Sequence, residues 1–141
     1  GINGKNSEIH AAMGQAVLIY ANDILKKRNE DYNYYVEKLS GLTLRMQKLN
    51  PNGVSNFSYF PIIFEKEQDL IKAIKLFELN NIFAKRYFHP SLGKLPYLIP
   101  QVLPIVESTS KRILCLPLFF DIKRHEQDLI CDILFQSLTN E

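Results

Sequence analysis

Residues 7–39 carry an almost unbroken helical pattern, the longest periodic segment of the chain. Apolar side chains recur every three or four positions along it, which is typical of an amphipathic helix. Asn6 or Ser7 can cap its start, and Glu8 in the first turn suits the positive end of the helix dipole. Ser40-Gly41 indicates its end. We therefore predict one long helix at the N-terminal side of the fold.

The rest of the chain alternates short apolar runs with helical patterns. Strands are predicted at 42–44, 57–64, 82–88 and 113–116, and helices at 66–79, 105–111 and 123–138. Pro61 cannot donate to a ladder, so its strand is placed at an edge or a bulge. Residues 89–104 are rich in proline and predict a long irregular loop, of the kind that often meets a partner. The order predicts a single α+β domain, residues 1–141. It is a two-layer α/β sandwich, with the long helix, a sheet of three or four strands and helices on one face.

Composition excludes some classes of partner. The net charge is only +2 and the cations are dispersed, so nothing indicates nucleic acid or a membrane surface as a partner. No apolar run approaches the roughly 18 residues of a membrane span. Cys115 and Cys131 lie far apart in apolar sequence, which favours buried free thiols in a reducing cytoplasm over a disulfide.

The sequence shows no self-contained catalytic motif. His10, His89 and His125 lie on different predicted elements, without the spacing of a metal site. There is no phosphate-binding glycine loop and no nucleophile motif, so we predict neither a metal centre nor a nucleophilic site.

Two segments remain as candidate sites. Residues 3–7 form an Asn/Gly turn leading into a helix, where free N–H groups, the helix dipole and Lys5 suit an anion. An ordinary helix start is the alternative. Residues 85–90, KRYFHP, place two cations, two aromatic rings and a histidine at the end of a predicted strand. They could bind a ring and a charged group, and the alternative is a plain strand with alternating faces.

Several segments, in order, carry a family resemblance. They are GINGKNSEIHAAMG at 1–14, KRNEDY at 27–32, SYFP at 58–61, RYFHPSL at 86–92 and ILCLPL at 113–118. In this order they resemble the C-terminal part of the DegT/DnrJ/StrS aminotransferases, pyridoxal-phosphate enzymes that aminate keto sugars attached to nucleotides. Two positions depart from the family pattern, since Lys5 replaces an arginine and His10 replaces a glutamine. Lysine keeps the charge of arginine but loses its planar fork.

The resemblance implies the fold of the aspartate aminotransferase class, with a large cofactor domain, a small C-terminal α/β domain and an active site at a homodimer interface. Residues 1–40 would bridge to the large domain, and residues 41–141 would form the small one. The asparagine that matches Asn3 reaches the cofactor phosphate of the partner subunit in the family. Candidate substrate contacts are Lys5, Arg86, Phe88 and His89.

The family's Schiff-base lysine lies in the N-terminal part, and no lysine here has a matching context. We therefore expect this chain to be a piece of a longer protein that has no catalytic residue, binds no pyridoxal 5′-phosphate and is inactive alone. The whole enzyme would be cytoplasmic and would move an amino group, commonly from glutamate, to a nucleotide-linked keto-deoxysugar for polysaccharide or deoxyaminosugar synthesis. The alternatives are a non-enzymatic regulatory or interaction domain, since family members were described as pleiotropic regulatory proteins, and an α/β domain of independent origin.

Overall fold

The computed structural model describes residues 4–87, 89–99 and 101–139. The elements in chain order are α1 Glu8–Leu18, α2 Ala21–Leu39, β1 Arg45–Met46, β2 Phe60–Ile63, α3 Glu67–Leu79, α4 Pro104–Ser110, β3 Ile113–Leu116 and α5 Arg124–Thr139, with a 3-10 turn at Leu92–Lys94. The predicted α+β class is confirmed. None of the helices in these ranges combines the length and the apolarity needed to cross a membrane.

The three strands form one antiparallel sheet in the order β1-β2-β3. Alternate residues of the two longer strands point to one face and are buried there, as the two-residue period of a strand requires. That face packs against α2, α3 and α5. The buried apolar side chains of this core are Tyr32, Tyr35, Leu39, Phe60, Ile62, Phe64, Leu70, Ala73, Phe77, Leu114, Leu116, Ile122, Ile130, Cys131, Ile133 and Leu134.

Pro61 lies in the central strand, so its predicted place at an edge or bulge is wrong. The register pairs Pro61 with Cys115, whose own N–H and C=O bond Lys85 on the far side of β3. On the other side, β1 reaches only Ile62 and Ile63. The central strand therefore tolerates proline because no neighbouring strand needs an N–H at this position.

Two predicted strands are replaced by turns. At 42–44 the Leu42 N–H bonds the Leu39 carbonyl at 3.1 Å, so the chain is still turning after α2 and the strand begins only at Arg45. At 82–88 the Ile82 N–H bonds the Phe77 carbonyl at the end of α3. Among residues 82–87 of this segment, only Lys85 pairs with β3, as an isolated bridge to Cys115.

The predicted long helix is two helices. Tyr20 between them has φ −99° and ψ 0°, and its N–H bonds the Val17 carbonyl at 3.0 Å, which tightens the turn. The predicted cap is confirmed at Ser7, whose hydroxyl accepts from the His10 N–H at 3.3 Å. None of the residues of α1 is buried. The helical pattern thus spans one element that packs in the core and one that does not.

Polar bonds tie α2 to α5 and to the chain that precedes α5. The Tyr35 hydroxyl donates to the Pro117 carbonyl at 3.0 Å, and the Gln127 side chain donates to the Asp31 carbonyl at 3.1 Å. Lys27 forms an ion pair with the buried Asp31 carboxylate and donates to the Ile122 carbonyl at 3.2 Å. These bonds fix where the chain between β3 and α5 lies.

We expect Tyr35→Phe to lower the free energy of unfolding by about 1–2 kcal/mol, because the partly buried Pro117 carbonyl loses its donor. Urea unfolding measures this loss. Tyr32→Phe is the matched control, since Tyr32 packs in the same aromatic cluster against Phe60. Equal losses for the two variants would contradict a specific role for the Tyr35 bond.

Candidate functional site

A groove of about 580 Å³ lies between the 80–87 segment and the chain that leads into α5. Its walls are mostly apolar, which suits a flat ring better than a sugar. Tyr59 and Tyr87 meet there edge to face, with ring centroids 5.3 Å apart. Lys85 and Glu126 supply charged groups to the lining.

The predicted segment 85–90 is divided among different surroundings. Lys85 and Tyr87 line the groove. Arg86, between them, does not: its Nη2 donates to Glu67 Oε1 at 2.7 Å and to the Lys111 carbonyl at 2.8 Å. His89 is exposed, and Phe88 lies outside the described residues. The structure thus places the two cations of this segment in different surroundings.

Arg112 joins the elements on either side of this segment by hydrogen bonds to backbone carbonyls. Its Nη1 bonds the Phe64 and Glu65 carbonyls at 3.1 and 3.2 Å, and its Nε bonds the Ser108 carbonyl at 3.1 Å. The Phe64 N–H in turn bonds the Arg112 carbonyl at 3.0 Å. The end of α4 is therefore fixed to the end of β2 independently of Arg86.

The predicted anion-facing turn begins at the chain's start. Lys5 is exposed, while Asn3 lies outside the described residues. The His10 ring nitrogen Nδ1 lies 2.9 Å from the Ser7 hydroxyl, so the residue that departs from the family pattern takes part in the helix cap. His10 and His125 are both exposed on their helices. Among the described residues no three His, Cys, Asp or Glu side chains are placed to hold a metal ion.

Both cysteines are free and buried, as predicted. Cys115 lines the groove, and burial raises the pKa of its thiol. Burial, and then the charge of Asp128, raises the pKa of Cys131 to about 12. Neither thiol has the lowered pKa of a reactive cysteine.

Sequence reasoning missed Tyr59 and Glu67. Tyr59 belongs to an aromatic-rich run whose only local signal is that of a strand. Glu67 begins α3, where an acidic residue is expected from the helix dipole alone. Its bond to Arg86 spans 19 residues of sequence, and no local pattern could have found it.

Comparison with known proteins identifies the class. The sequence model of the DegT/DnrJ/EryC1/StrS aminotransferase family matches residues 1–135, and the chain belongs to this family. It is 34% identical to the dTDP-4-amino-4,6-dideoxy-D-glucose transaminase of Escherichia coli over 86% of this chain, and 33% identical to the Shigella dysenteriae transaminase of the same name. The chain spans only about 35% of the length of these relatives.

Solved structures share the fold. A crystal structure of DesI in the presence of its TDP-sugar product superposes with a TM-score of 0.85 at 22% identity, over 99% of this chain and 38% of that one. NtdA from Bacillus subtilis with bound cofactor PMP gives 0.84 at 23% identity, over 99% of this chain and 34% of that one. The small α+β fold expected from the family resemblance is thereby confirmed for this chain.

The raised thiol pKa values predict a loss of stability in alkali. A raised folded pKa contributes stability that is present in full below the unfolded thiol pKa of about 9 and is lost as the pH rises toward about 12. Urea unfolding measures the free energy of unfolding of the unaltered chain and of Cys131→Ala. We expect the difference between these two free energies to become smaller as the pH rises from 8 to 11. A difference that stays constant over this range would contradict the raised pKa.

Proposed function

We propose that this chain forms the small C-terminal domain of a pyridoxal-phosphate aminotransferase that moves an amino group from glutamate to a nucleotide-linked keto-deoxysugar. The observation that carries the proposal is the 34% identity to a transaminase named for a dTDP-linked dideoxysugar. The family match over residues 1–135 supports it. The whole protein would act as a cytoplasmic homodimer in polysaccharide or deoxyaminosugar synthesis, without a nucleic-acid or membrane partner.

The proposal assigns the Schiff-base lysine to the part of the enzyme that this chain does not cover. The relatives are nearly three times as long as this chain, which leaves room for a large cofactor domain. Ile9 lies in α1 and Ile19 directly follows that helix, and both are about three-quarters exposed. The helix therefore has apolar surface that another domain could cover. Of the proposed bridge, residues 1–40, this supports α1; α2 packs in the core of the small domain formed by residues 41–141.

The described residues offer a binding surface for only one part of the cofactor, its phosphate group. The turn before α1 is exposed and Lys5 carries a positive charge, which suits a phosphate approaching from another subunit. Ser7 already caps one N–H of that helix, and Glu8 adds a negative charge in the same turn. When bound, the cofactor supplies the electron sink for amino transfer. We assign Asn3 to the phosphate of the cofactor in the partner subunit.

Substrate contacts are proposed at Lys5, Arg86, Phe88 and His89. A nucleotide-linked sugar carries a diphosphate, for which arginine is the best-matched side chain. Arg86 is mostly buried, with 23% of its side chain exposed, and His89 beyond it is exposed. This segment therefore offers both an oriented cation and an accessible imidazole.

The visible absorption spectrum of the full-length protein tests the proposed function. We expect a cofactor band that shifts when glutamate is added, because amino transfer from glutamate changes the cofactor's conjugated system. Residues 1–141 alone, as the control, should show neither the band nor transaminase activity. Absence of the cofactor, even after incubation with pyridoxal 5′-phosphate, would contradict the proposal and favour a regulatory domain.

A further inference from the structure

Glu67 and Arg86 form an ion pair that no local sequence pattern predicts. Glu67 is the first residue of α3, and Arg86 lies at the end of the segment that follows that helix. The Arg86 Nη2 lies 2.7 Å from Glu67 Oε1, with 23% of the arginine and 38% of the glutamate side chain exposed. Partial burial and the short distance make this a charge-assisted hydrogen bond with a defined geometry.

The pair is not needed to hold α3 against α4. Arg112 already joins the end of α4 to the Phe64 and Glu65 carbonyls just before α3. The Glu67 carboxylate therefore acts mainly on the arginine itself. Together with the Lys111 carbonyl, it uses both N–H groups of Nη2 and so fixes the plane of the guanidinium.

The fixed guanidinium is left short of acceptors. Arg86 Nε is buried and has no hydrogen-bond partner among the described residues. Buried donors are normally paired, and an unpaired one calls for an explanation. The Arg86 side chain still keeps 23% of its surface exposed, and an anionic oxygen that reaches the guanidinium from that side would supply an acceptor that the described residues do not.

We infer that Glu67 is a positioning residue that orients Arg86 toward the diphosphate of the nucleotide-linked substrate. This inference rests on the proposed function, since it takes Arg86 as a substrate contact. Glu67 itself touches no substrate and acts through the arginine. Its loss lets the guanidinium rotate, so it weakens binding of the nucleotide but leaves the reaction with the amino donor unchanged.

The test uses the full-length protein with the variants Glu67→Gln and Arg86→Lys. We expect each variant to weaken binding of dTDP about tenfold in calorimetry. Glu67→Gln loses the charge-assisted bond to Arg86, and Arg86→Lys loses the planar guanidinium. The double variant should bind no more weakly than Arg86→Lys, since the two residues act as one unit. The glutamate-induced shift of the cofactor band should keep its rate within about twofold in all of them.

Asp69→Asn is the matched control, because it removes the same charge from the same first turn of α3 without touching Arg86. It should leave dTDP binding unchanged. If Glu67→Gln does not fold, Glu67→Asp replaces it, because the shorter side chain keeps the charge of the first turn of α3 but no longer reaches Arg86 Nη2. The same tenfold weakening of dTDP binding is expected, and unchanged affinity would overturn the role of Glu67.

Unchanged dTDP affinity in Glu67→Gln, or an equal loss in Asp69→Asn, would overturn the role of Glu67. A proportional loss of the glutamate reaction would do the same, since it indicates general structural damage. An unaltered protein whose band shifts with glutamate but which binds neither dTDP nor UDP would overturn the inference while sparing the aminotransferase chemistry. A protein without any cofactor band would instead contradict the proposed function.

Discussion

Burial of one face of a three-stranded sheet is the constraint on which the rest of the structure depends. Phe60 and Ile62 from the central strand and Leu114 and Leu116 from its neighbour all point to the helices and are at most 4% exposed. So small a sheet is stable only when a layer of helices covers one face. The helices that cover it bring the start of α3, the end of α4 and the 82–87 segment to the same side of the molecule.

The surfaces outside this core are unusually apolar. Ile99, Val102 and Ile105 in and beside the proline-rich segment are more than 80% exposed, and α1 buries no residue at all. Patches of this kind mark interaction sites more often than plain surface. These surfaces agree with a domain that packs against other parts of a larger enzyme. In the proposed function those parts are a large domain and a partner subunit.

Local patterns predicted the elements whose signal is local. The terminal helix, β3 and the Ser7 cap lie where apolar spacing, Pro117 and a capping side chain place them. Features that depend on distant neighbours were missed. Pro61 is tolerated in the central strand only because β1 is short and Cys115 bonds elsewhere. Likewise, Arg86 was identified as a candidate contact, but its partner Glu67 is close only in space. The family resemblance supplied the fold and the role expected of Asn3, which no periodic pattern could indicate.

Subunit complementation tests most directly the central claim that this domain completes the active site of a partner subunit. One full-length protein would carry Asn3→Ala, and a second would carry alanine in place of the cofactor-binding lysine. Each homodimer should be nearly inactive. Mixed dimers join an intact lysine to the partner's Asn3 at one of two sites, so we expect them to regain up to half of the normal activity. Mixed dimers no more active than the homodimers would contradict a contribution of Asn3 across the interface.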